Sequence, residues 1–76
     1  MKELVEVMAK ALVDDVEGVK VSSREENDTV ILELHVAPQD MGKVIGKQGR
    51  IARAIRTVVR AAAIREDKKV IVDILQ

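Results

Sequence analysis

Seventy-six residues, 47% of them apolar, suffice for one core but not two, and the chain is too apolar to stay disordered. Cysteine and the aromatic residues are absent, which excludes disulfide staples, thiolate chemistry and any binding surface built on aromatic stacking. The net charge of zero hides a division. Met1 to Gly42 carries four basic residues (Lys2, Lys10, Lys20, Arg24) against ten acidic ones, whereas Lys43 to Arg65 carries seven basic residues and no acidic one.

In chain order, Leu4, Val5, Met8, Leu12 and Val16 recur at helical spacing, which predicts an amphipathic helix stopped by Gly18. VKVSSRE then alternates weakly, with Val19, Val21 and Ser23 on one side. Glu26-Asn27-Asp28 is a turn signal. TVILELHVA alternates clearly: Val30, Leu32, Leu34 and Val36 face one way, and Thr29, Ile31, Glu33 and His35 the other. Two such runs around a short polar turn predict a hairpin. Pro38 closes the second strand, and Asp40 is expected to cap a short helix through Met41, Val44 and Ile45. Gly46 and Gly49 break that helix. A longer one is expected from about Arg50 to Arg65, with Ile51, Ala52, Ile55, Val58, Val59 and Ala62 as its apolar stripe. Arg50, Arg53, Arg56 and Arg60 fall on a neighbouring face. KKVIVDIL reads as a last strand, with Val70, Val72 and Ile74 on one side.

The predicted order is α-β-β-α-α-β over one domain, residues 1–76. The hairpin makes the first two strands antiparallel, and the two-helix crossover brings the last strand parallel to the second. A three-stranded mixed sheet with helices on one face, an α+β fold, is the compact solution. Ile31, Ile71 and Leu75 would then form an apolar strip on the open face, a motive for self-association. No apolar run is long enough to cross a membrane, and the acidic N-terminus does not suit a signal peptide, so a cytoplasmic protein is expected.

The chemistry concentrates in Gly42 to Arg50, GKVIGKQGR. A nucleotide-binding P-loop needs four residues between its glycines and then Lys-Ser/Thr. Here three residues separate Gly42 from Gly46, and Gln48 follows Lys47. A dinucleotide fingerprint needs a strand directly before its glycines, where a helix is expected. Two readings remain: a plain helix-helix turn with a solvated basic face, or a loop whose backbone meets phosphates.

The second reading carries a resemblance. Val44-Ile45-Gly46-Lys47-Gln48-Gly49, with a strand before it and a helix and strand after it, resembles the Gly-x-x-Gly signature of K-homology (KH) domains. The leading helix and strand resemble the type II, prokaryotic arrangement. A chain of about this one unit looks like the small bacterial KH proteins of the KhpA family. The resemblance implies binding of single-stranded RNA. Gly46 and Gly49 would let the loop approach a phosphate chain, with Lys43, Lys47, Gln48 and Arg50 on the sugar-phosphate backbone. Arg53 would sit at the groove edge, and Val44, Ile45 or their apolar neighbours would line an aliphatic groove. Arg56 and Arg60 stay open. The resemblance makes the short acidic turn from Arg24 to Asp28 the variable loop, one wall of that groove. One departure is Ala52, where KH domains often place isoleucine; here Ile51 precedes it.

The resemblance further implies a larger KH-domain partner (KhpB-like), an RNA-chaperone role in post-transcriptional regulation, and a link to cell elongation and division. A ribosome-associated or assembly factor is the alternative among nucleic-acid binders. A protein-interaction adapter without RNA binding is the alternative outside them. No cofactor or catalysis is expected. His35 is the sole histidine, and Ser22 and Ser23 have no base to activate them.

Overall fold

The computed structural model describes residues 1–75. Its elements are α1 (Lys2–Leu12), β1 (Lys20–Glu26), β2 (Thr29–His35), α2 (Met41–Ile45), α3 (Arg50–Arg65) and β3 (Lys69–Leu75). Three single 3-10 turns, Val16–Gly18, Pro38–Asp40 and Lys47–Gly49, join them. The sheet order is β1-β2-β3, antiparallel between β1 and β2 and parallel between β2 and β3. The expected α-β-β-α-α-β order and mixed sheet are both present.

Alternation decides which sheet face is covered. Val21, Val30, Leu32, Leu34 and Val72 point at the helices and join Val5, Ala9, Val44, Ile55 and Val59 in the core. Burying that many aliphatic side chains, each worth about 1.5–3 kcal/mol, is what holds so short a chain together. The hairpin closes through Asn27 and Asp28, both at positive φ (50° and 65°), as a two-residue turn between antiparallel strands favours.

Four expectations need correction. The first helix ends at Leu12 rather than running to Gly18. Val13 turns extended to reach the core, and the Asp14 and Asp15 N–H groups donate to the Asp40 carboxylate (3.2 and 3.0 Å) instead of to helical carbonyls. A tertiary acceptor outbids the helical repeat there. Asp40, expected as the cap of α2, accepts no capping bond from the backbone N–H groups of that helix for the same reason.

On α3 the buried stripe is Ala52, Ile55, Val59 and Ala63, while Val58 is 46% exposed. Finally, the apolar strip on the open sheet face is interrupted. Ile31 lies between Arg24 and Ile71 and is buried, but the row Ser22, Glu33 and Asp73 separates that pair from Leu75. An Arg24–Glu33 ion pair (3.0 Å) crosses the gap.

Candidate nucleic-acid interface

The connection between α2 and α3 has almost no freedom in its residue types. Gly46 adopts φ 76°, ψ 173°, a conformation open essentially to glycine alone. A Cβ at Gly46 would also stand 2.5 Å from Ile51 Cγ1. Ile51 thus occupies the space glycine leaves and packs against the core, beside buried Ala52. Gln48 (φ 58°, ψ 25°) and Gly49 (φ 75°, ψ 15°) are left-handed. For glutamine this conformation is strained by about 1–2 kcal/mol. The Arg53 guanidinium, one turn into α3, donates to the Gln48 carbonyl (2.9 Å) and braces the loop in place.

The loop presents Lys47, Gln48 and Arg50 to solvent. Among the described residues, the basic side chains paired to carboxylates are Lys10, Arg24 and Lys43, so Lys47, Arg50, Arg53 and Arg60 keep their charge for an outside anion. Ile45 and Ile51 are half-buried beside the loop, whereas Val44 is wholly buried and supports the site from beneath. Arg56 is half-buried, its Nε donating to the Val72 carbonyl of β3 (3.1 Å), so it fastens α3 to the sheet. Arg53 is likewise tied to backbone by one donor, which leaves the rest of its guanidinium fork unused.

Lys43 is placed differently from the other cations. Its ammonium contacts Asp14 and lies 3.4 Å from Asp40 Oδ1. Its pKa is raised, first by the hydrogen bond to Asp14 and against some desolvation. Asp40 is the one charged side chain buried among the described residues. The Asp15 N–H is the main cause holding its carboxyl below the ordinary aspartate value, opposed by burial and aided by the Asp14 N–H and Lys43. Asp40 thereby ties the end of α1 to the start of α2, the helix that carries the loop. The sequence offers no signal for this role, because its partners lie 25 and 26 residues away.

The acidic turn is not beside the glycine loop. Asn27 and Asp28 line one depression with Ile64, Asp67, Lys68 and Lys69, at the C-terminal end of α3. With 16 residues, α3 puts about 24 Å between that end and the loop. The carboxylates of the turn therefore do not face the Gly46 to Gly49 loop.

A family model described as the KH domain of KhpA/KhpB matches residues 2–74. The chain is 65% identical over 75 residues to the RNA-binding protein KhpA of Clostridium perfringens, covering 99% of this chain and 100% of that one. It is 49% identical over 76 residues to the RNA-binding protein KhpA of Aquifex aeolicus, covering 100% of this chain and 96% of the relative. Among solved structures, it resembles part of Era in complex with MgGDPNP and nucleotides 1506–1542 of 16S ribosomal RNA. The TM-score is 0.63 at 15% identity, over 96% of this chain and 28% of that one, a likeness of fold alone.

Proposed function

We propose that this chain, which belongs to the KhpA/KhpB family of KH domains and has the type II KH fold, binds single-stranded RNA at the Gly46 to Gly49 loop. The observation that carries the reading is the loop itself. Gly46 lets the chain turn over Ile51, Gly49 leaves open space where a phosphate chain would approach, and exposed Lys47, Gln48 and Arg50 surround the loop with no carboxylate paired to them among the described residues. Backbone N–H groups of such a loop and charge-assisted contacts from Lys47 and Arg50 would hold phosphates, while Ile45 and Ile51 offer an aliphatic surface to a base. Arg53 braces the loop and has donors left for the same strand.

Close relatives named as RNA-binding proteins support this reading. The chain is proposed to work as a single domain over residues 1–76, without catalysis or cofactor, in the cytoplasm. Among the described residues no helix is long and apolar enough to cross a membrane. A KH module grips about four nucleotides. Weak, poorly selective binding suits an RNA chaperone acting with a second, larger KH protein of the KhpB kind, and a role in cell elongation and division is proposed with it.

Titration of a short unstructured oligoribonucleotide into wild type and Lys47→Asp/Gln48→Asp, with both shown to be equally folded, tests the site. The double variant is expected to lose about tenfold or more in affinity. Wild-type log K should fall with log salt by about 0.7 per phosphate contacted. Equal binding by the two proteins would remove the loop from the site. Absence of binding by either would favour a protein-interaction adapter.

A further inference from the structure

Lys43 meets two carboxylates that are unlike each other. Asp40 is wholly buried and fixed by two backbone N–H groups, so it cannot follow a moving partner. Asp14 is 83% exposed at its side chain, and its carboxylate has no bond other than the one to Lys43 among the described residues. Lys43 is itself 43% exposed and stands one helical turn before Gly46, on the approach to the glycine loop. It is the first residue of the basic segment and, among the described residues, the only one of its seven cations paired to an acid.

We infer that Asp14 is a built-in competitor for the phosphate that Lys43 would take, so that the Lys43 contact forms only when a strand displaces Asp14. The inference rests on the RNA-binding reading above and adds a discriminating residue to that site. Asp40 keeps the ammonium at the surface of α2 throughout, since its own bonds to the Asp14 and Asp15 N–H groups do not involve the Asp14 side chain. Asp14 can rotate into water at little cost, as an exposed ion pair contributes little. A strand already held at Lys47 brings its neighbouring phosphate to Lys43 at high local concentration and displaces the carboxylate. A stray phosphate does not. Asp14 thereby weakens casual anion binding more than binding of a strand seated in the loop.

The test compares Asp14→Asn with Asp15→Asn, titrating a short oligouridylate at several salt concentrations. Asp15 removes the same charge one residue away but has no contact with Lys43, and its cap on Gly18 N–H survives as the amide oxygen. Asp14→Asn is expected to bind about two- to fivefold tighter than wild type. Its salt dependence should steepen by up to about 0.7, one added phosphate contact. Asp15→Asn should give a smaller gain with no change of slope. In a Lys43→Gln background, Asp14→Asn should gain no more than Asp15→Asn does.

Equal gains from the two single variants would reduce Asp14 to bulk charge and overturn the inference while leaving the loop site standing. So would an unchanged Asp14→Asn in a protein whose binding still depends on Lys47 and Gln48. Failure of every variant and of wild type to bind the oligouridylate overturns the inference together with the reading beneath it.

Discussion

The two ends of α3 meet the same backbone demand with different residues. At its N-terminal end the chain is left-handed at Gln48 and Gly49, and Gly46 also has positive φ; at its C-terminal end positive φ falls on Asn27, Asp28 and Asp67. Asparagine and aspartate tolerate this conformation because a short polar side chain can bond locally, and they suffice where a turn asks for nothing more. The loop end uses glycine instead. At Gly46 the reason is inside the protein, because Ile51 fills the space a Cβ needs. At Gly49 no atom beyond its chain neighbours stands within 4 Å of where a Cβ would be, so only the left-handed backbone constrains the residue and the space above it is open. Charge divides in the same way. Glu25, Asp28 and Asp67 gather with Lys68 at the far end, and the loop itself carries Lys47 and Arg50, which no acid pairs among the described residues. A glycine that packing requires can thus be told apart from one held only by its backbone conformation beside open space.

The largest expected effect separates those two glycines. Gly46→Ala combines strain of about 1–3 kcal/mol, in a conformation essentially closed to other residues, with displacement of Ile51, an overpacking cost of about 1–3 kcal/mol, for a loss of about 4 kcal/mol. Gly49→Ala has only the strain, about 1–2 kcal/mol. Urea denaturation measures both. Equal losses would break the distinction. Under conditions where Gly49→Ala remains folded, it should still bind RNA more weakly, because its new methyl points to the open side of the loop.

Gly42 gives a smaller effect of opposite sign. It lies inside α2, its φ is not positive, and a Cβ there would meet nothing. A packing role for this glycine finds no neighbour to support it. Gly42→Ala should stabilise the protein by about 0.5–1 kcal/mol, seen as a rise in Tm. A loss of stability would mean that the helix is strained there. If RNA affinity falls while stability rises, the open surface used by the strand extends from the loop onto α2.

Local patterns made most of the fold legible. Alternation in TVILELHVA fixed the covered face of β2 because one-residue slips would have exposed every core side chain. The Gly-x-x-Gly spacing located the loop because positive φ is written almost directly in glycine. What stayed hidden was tertiary. Asp40 looks like a cap from its neighbours, and only the folded chain brings Asp14 and Asp15 N–H groups to it. Arg53 and Arg56 look like two more surface cations, yet one holds the Gln48 carbonyl and the other that of Val72. No sequence pattern states which end of α3 the acidic hairpin turn will meet, and only the fold places Asn27 and Asp28 beside Ile64 and Asp67.

The smallest expected effect tests whether the two ends are independent. Asp28→Gly relieves a left-handed aspartate, worth about 1 kcal/mol, but frees the unfolded chain by about 0.4–1 kcal/mol, so stability should change by less than about 0.5 kcal/mol. It also removes one negative charge. That charge lies about 24 Å from the loop, roughly three Debye lengths at physiological salt, where screening leaves little of its field. RNA affinity should therefore match wild type within experimental error at physiological salt, while Asp14→Asn tightens it. If Asp28→Gly tightened binding as much as Asp14→Asn, the strand would have to run the length of α3 to the hairpin turn. The two ends would then belong to one continuous groove, gripped at Gly46 to Gly49 and repelled at Asp28.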